Sequence, residues 1–175
     1  LRVADCPASG LSNRLGTIDL RLLSGDTAIH SDMLMWHKDE KPEDAALQVL
    51  SCIFATVQIS LNLADVSEEI EKMLKFWMAF MKEHMMLLQC AQIKPLEPEN
   101  LYPEVSVENE NTRIQVNYSK GRVVNMCDIL ETFYYIHGTK ADDVVLETSF
   151  DVSLFCLDAA TTYLPVPSPA KYFRR

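Results

Sequence analysis

Two short segments hold the residue types that carry out carboxylate chemistry: Ala4-Asp5-Cys6-Pro7 and Ile29-His30-Ser31-Asp32-Met33-Leu34-Met35-Trp36-His37. Each brings an aspartate to the place where an apolar run gives way to a loop. A pair of carboxylates facing one pocket is the equipment for cleaving a glycosidic bond. One protonates the departing oxygen, and the other attacks the anomeric carbon or activates water. Trp36 adds an aromatic face of the kind that stacks on a sugar ring. Residue type alone leaves each position with two roles. Asp5 fits an acid/base or a helix cap. Asp32 fits a pocket residue or an ion-pair partner of Arg14 or Arg21. His30 fits a pocket residue or a hydrogen-bonded interior histidine, and Trp36 a sugar platform or simple packing. His30 and His37 lack the helical spacing of a metal-binding pair, so no metal site is expected.

The elements that must position these residues alternate strand and helix through the first half. Leu1 to Ala4 reads as the tail of a strand. Ser12 is placed to cap a helix with Leu11, Leu15, Ile18 and Leu22 on one face and Gly25 at its end. Thr27 to Met35 reads as a second strand running into the Trp36 loop. Pro42, Glu43 and Asp44 suit the first turn of a second helix, with Ala46, Leu47, Leu50, Ile53 and Phe54 as its apolar stripe. Val57 to Leu61 reads as a short strand. Asp65 and Glu68 resemble a capping box ahead of a long helix with Ile70, Met73, Leu74, Trp77, Met78, Met81, Met85 and Leu88 on one face. Repeated strand–helix units imply parallel strands covered by helices. Three units are too few to close a barrel, which takes eight.

Pro95, Pro98 and Pro103 then mark a change of pattern and a domain boundary. Beyond them, short alternating runs separated by polar or glycine turns predict an antiparallel sheet or sandwich. The runs are 105–107, 113–118, 122–124, 132–137, 144–147 and 152–155. The aromatic run Phe133-Tyr134-Tyr135 reads as sheet packing, Asp142-Asp143 as a solvated turn, and 165–175 as an extended arm.

Composition narrows the partners. The chain has 175 residues, 48% of them hydrophobic, and a net charge of −9. Without a basic footprint, nucleic acid and anionic membrane surfaces are poor partners. No apolar run reaches the roughly twenty residues of a membrane span. The five cysteines are widely spaced and include no CxxC pair. This argues against a disulfide framework or a zinc site and suits reduced thiols in the cytoplasm.

A longer pattern adds to this reading. Ala4-Asp5-Cys6-Pro7, Ser12-Asn13-Arg14, residues 17–25 from Thr17 to Gly25, and Ala28 through His37 together resemble one branch of the family 36 glycoside hydrolases. These are melibiase-type α-galactosidases. The similarity continues through Ala45-Ala46-Leu47-Gln48, Gln58-Ile59-Ser60 and Phe76-Trp77. The string His30-Ser31-Asp32-Met33-Leu34-Met35-Trp36-His37 is its most specific part. Residues 93–175 resemble the family only in their all-β character.

The resemblance implies that residues 1–92 are the last three βα units of a (β/α)8 TIM barrel and residues 93–175 a C-terminal β-sandwich. It implies a retaining hydrolysis of terminal α-galactosides without a cofactor. Asp5 aligns with the general acid/base, while Asp32, His30 and Trp36 fall near the sugar pocket. The family's nucleophile lies in a Lys-Trp-Asp motif on an earlier strand, and that motif does not occur in this sequence. Where the branch often carries a second acidic residue after Asp-Cys-Pro, this chain has Ala8-Ser9-Gly10. The chain by itself is therefore expected to be inactive and to associate with the missing N-terminal portion of the barrel or with itself. The competing expectation is a non-catalytic carbohydrate-binding or interaction remnant of the same fold.

Overall fold

The computed structural model describes residues 1, 9–25, 27–126, 131–141 and 144–149, with Asp32 described by its backbone alone, and the backbone of 156–158 and 162–166. Helix α1 spans Gly10–Ser24, strand β1 His30–Leu34, helix α2 Pro42–Leu50 and strand β2 Thr56–Ile59. Helices α3, Glu68–Glu83, and α4, Met85–Cys90, follow. Strands β3 (Ile93–Leu96), β4 (Glu104–Glu108), β5 (Thr112–Asn117), β6 (Val123–Asn125), β7 (Thr132–His137), β8 (Val145–Glu147), β9 (Cys156–Asp158) and β10 (Thr162–Val166) complete the chain order.

β1 and β2 pair in parallel with α2 between them. Leu1 extends this arrangement on the other side of β1. Its nitrogen donates to the Ala28 carbonyl at 2.8 Å, and its carbonyl accepts from the His30 amide at 2.7 Å. Such an alternation on either side of Ile29 is the slanted bonding of a parallel pair. Of the expected first strand, residues 2–4 lie outside the described residues.

α2 starts as its sequence dictates, with Pro42 in the first turn and Glu43 and Asp44 near the positive end of the helix. It closes at Leu50, and Ile53 and Phe54 are buried from the turn that follows. α3 is capped by Ser67, whose hydroxyl accepts from the Ile70 amide at 3.3 Å. Asp65 instead ends a short 3-10 turn, Leu63–Asp65, which Asn62 caps. Ile70, Met73, Leu74, Trp77 and Met81 form the buried stripe of α3. A break at His84 restarts the chain as α4. The new phase buries Leu87 and Leu88 and leaves Met85 outside.

α1 departs from its expected orientation. Ser9, not Ser12, caps it, accepting from the Ser12 amide at 3.2 Å. Gly25 ends it at φ 56°, a left-handed conformation that glycine adopts without a Cβ penalty. Its buried side carries Asn13, Thr17, Ile18 and Arg21, whereas Leu11, Leu22 and Leu23 are exposed. The helix packs against β1 and β3, and it meets backbone carbonyls there. Arg21 donates to the carbonyls of Gln89 and Ala91, and Arg14 Nη2 to that of Leu101 at 2.9 Å.

The largest sheet has the order β3-β4-β5-β7. β3–β4 and β4–β5 are antiparallel, but β5–β7 is parallel, as is the separate pair β6–β8. The first two pairings follow the antiparallel arrangement expected from sequence, and the β5–β7 pairing departs from it. The chain leaves β5 at Asn117, supplies β6 to another sheet and enters β7 beside Thr112, at the opposite end of β5, and such a crossover makes a parallel neighbour. The register sorts this sheet into two faces. Ile93, Val107, Ile114 and Tyr134 form one row, and Pro95, Val105, Val116 and Ile136 the next. Apart from Pro95, these residues join or pack on the same buried cluster as Ile18, Leu34, Phe54, Met73, Trp77 and Leu88. The core is therefore continuous across the expected boundary at 92/93, where the chain enters β3.

Candidate functional site

Parallel strands release their loops at the same end. After β1 comes Met35 to Lys41, and after β2 comes Ser60 to Ser67. Between these loops lies a pocket of about 140 Å³ lined by Trp36, Lys38, Leu61, Asn62, Asp65 and Val66. Trp36 is partly buried and packs on the core cluster, which fixes its indole at the pocket wall. Asn62 and Asp65 brace each other. Asn62 Nδ2 donates to Asp65 Oδ2 at 2.6 Å, while Asn62 Oδ1 accepts from the Ala64 amide at 3.3 Å. The wall thus offers an aromatic face, an ammonium group, an amide and a carboxylate within one small concavity, and such groups serve hydroxyl-rich ligands.

β1 is not a regular strand. His30 stands opposite Thr56 but Met33 opposite Gln58, so three residues of β1 advance against two of β2. The irregularity falls at Ser31 and Asp32. Ser31 is fully buried, and its Oγ accepts from the Gln58 amide at 2.9 Å, which pins the two strands where the register slips. Bulges re-aim side chains and concentrate beside active sites. Nothing in the apolar pattern of Ile29 to Met35 announces this one.

The four residues singled out from sequence are placed differently. Trp36 lines the pocket. Asp32 lies within β1 at the register shift. His30 opens the strand and is exposed, so it is not an interior histidine. The strand ends four residues later, roughly 13 Å along its axis, which separates His30 from the pocket end. Asp5 lies outside the described residues.

Lys38, Asn62 and Asp65 were not anticipated as lining groups. Their signal is positional, since each follows a predicted parallel strand by a few residues. His37, also in the β1 loop, is exposed, and its Nδ1 lies 3.4 Å from Asp39 Oδ2. A contact so open to water is worth little. Among the described residues, no group of three or more His, Cys, Asp or Glu side chains is placed to hold a metal ion. No described helix is long and apolar enough to cross a membrane.

No protein-family model, curated protein or solved structure matches the chain.

Proposed function

We propose that the chain is the C-terminal part of a retaining α-galactosidase, with residues 1–92 ending a (β/α)8 barrel and residues 93–175 forming its β-sandwich. One observation carries the reading. Consecutive parallel strands open onto a single pocket, and the segment that resembles the glycosidase family supplies its tryptophan. Barrel enzymes place their sites at this end of their strands. In this reading Trp36 and Asp32 hold the galactose, with Lys38 and Asn62 as hydroxyl partners; His30, at the other end of β1, takes no part at this pocket. Asp5 protonates the glycosidic oxygen as the aglycone departs. It then deprotonates the water that releases the glycosyl-enzyme intermediate. A carboxylic acid needs a raised pKa for this work, and the neighbouring nucleophile carboxylate supplies it. That nucleophile comes from a strand outside this chain, and no cofactor is required. Neither Cys52 nor Cys90 forms a disulfide, in keeping with a cytoplasmic setting.

The test is hydrolysis of p-nitrophenyl α-galactoside by a polypeptide that joins the earlier barrel strands to this chain. Asp5→Ala is expected to slow turnover by about 10²–10⁴-fold, the range of general acid/base catalysis. Azide is expected to restore part of the rate, and this chain alone to be silent. An Asp5→Ala enzyme as fast as its parent, or turnover by the isolated chain, would end the proposal.

A further inference from the structure

The sheet face turned away from the core is polar apart from Leu96 and Phe133. Lys94, Ser106, Gln115 and Tyr135 stand side by side across β3, β4, β5 and β7. Glu108, Arg113 and Phe133 form the next row, and Leu96, Glu104, Asn117 and His137 the third. A solvated sheet face would also be polar. This one is not flat, because Val123 and Asn125 of β6, which belong to another sheet, stand beside it. Together they enclose a groove of about 380 Å³ with Lys94, Glu104, Ser106, Glu108, Arg113 and Gln115. That volume lies in the range of small-molecule sites.

The charges in the groove cancel. Lys94 and Arg113 both pair with Glu108, Arg113 Nε at 2.7 Å from Glu108 Oε2. Glu104 faces Arg122, whose Nε lies 3.6 Å away and which also holds Glu97 at 2.8 Å. Two cations and two anions line the groove itself, within a chain of net charge −9. An anionic ligand would meet Glu104 and Glu108, and a cationic one Lys94 and Arg113. A neutral ligand meets neither obstacle. What remains on offer is a dense set of hydrogen-bonding groups held in place. Gln115 is buried, and its amide already donates to Asn117 Oδ1 at 3.2 Å. The exposed side chains of Leu96 and Val123 add apolar contact at the margin. Hydroxyl-matching edges beside a small apolar surface complement a pyranose, which has polar edges and a C–H face.

We infer that this groove is a binding site for a neutral oligosaccharide, separate from the pocket at Trp36 and independent of the α-galactosidase reading. The test applies the full chain to an array of neutral oligosaccharides alongside sialylated and sulfated ones. Retention of at least one neutral glycan is expected, with amide shift changes in labelled protein centred on β3 to β6. Ser106→Trp fills the groove and is expected to weaken binding at least tenfold. Asn125→Leu, at an exposed position that leaves the core untouched, is expected to weaken it as well and decides the matter where the tryptophan variant fails to fold. Failure of every neutral glycan to bind overturns the inference. So does binding confined to charged glycans, or undiminished binding by the folded variants.

Discussion

Arg21 joins the two halves of the chain with one side chain. It is 7% exposed at the last turn of α1, and its guanidinium donates to the carbonyls of Gln89 and Ala91, the latter at 2.7 Å. Arg21→Met would keep the packing of the stem but leave two carbonyls at the end of α4 without their donor. An unsatisfied buried polar group costs about 1–3 kcal/mol. Urea unfolding is therefore expected to show a loss of about 2–4 kcal/mol. Arg21→Lys should recover only part of it, since a single ammonium does not reproduce a planar fork. Tyr118 makes a second link of this kind. Its hydroxyl donates to the Leu50 carbonyl at 2.8 Å, and Arg14 lies 4.4 Å from its ring centroid. Burial pushes the Tyr118 phenol far above its ordinary pKa, with Arg14 opposing the shift, and burial pushes Tyr135 up to about 12. Both therefore hold their protons in the folded state after the unfolded chain has begun to release them near pH 10. The stability they contribute is complete below pH 10 and falls as pH rises beyond it. Tyr118→Phe is expected to cost about 1–2 kcal/mol at pH 7 and to flatten the decline between pH 10 and 12, as read from unfolding curves at each pH. Sequence offered Arg21 only as an ion-pair partner of Asp32 and did not mark Tyr118, because their partners are carbonyls up to 70 positions away. Trp36 was marked, because an aromatic residue just past a predicted strand has a meaning that local pattern conveys.

Elements were legible where one face packs on one neighbour. The stripe of α3 follows its 3.6-residue period from Ile70 to Met81. The same reading carried on into Met85 missed the break at His84, since a helix restart needs no distinctive residue. α1 was misoriented because hydropathy assigns leucines to the inside. The side it buries instead carries Asn13, Thr17 and Arg21, and Arg21 reaches the carbonyls of Gln89 and Ala91. β3 went unread because Pro95 was taken as part of a domain boundary. It is an edge strand of its sheet, where a missing amide is tolerated. The closing pair of β5 and β7 gives a test at this scale. Gly138 follows the Asn117–His137 pair, and its amide donates to the Asn117 carbonyl at 2.8 Å. A Cβ there would lie 2.9 Å from that carbonyl oxygen and 3.0 Å from the Tyr118 ring. Backbone does not yield as a flexible side chain does. Gly138→Ala is expected to cost about 1–3 kcal/mol and to speed amide exchange at the ends of β5 and β7. An exchange pattern like the parent's would show that the strand end has room to move.

At the scale of the molecule, the proline-marked boundary and the buried core disagree. Composition changes near residue 93, yet Val105, Val107, Ile114 and Val116 belong to the cluster that contains Phe54, Met73 and Trp77. α4 packs on β4 and α1 on β3, so both sides of the boundary share walls. Two units with separate cores would unfold separately, whereas units that share a core lose it together. Trp77 is 7% exposed on α3 and reports on the first region. Val107, fully buried on β4, belongs to the second. Val107→Ala opens a small cavity and is expected to cost about 2 kcal/mol. In a Trp36→Phe background, where Trp77 is the sole indole, that loss should appear in full in the fluorescence transition of Trp77. It should coincide with the transition in far-ultraviolet circular dichroism. A Trp77 midpoint that stays fixed while the β signal shifts would mean that the regions are stabilised independently and that their contact is only a docking. Coincident shifts would make residues 93–175 a structural requirement for the parallel strands. The pocket at Trp36 would then depend on a sheet that contributes none of its lining.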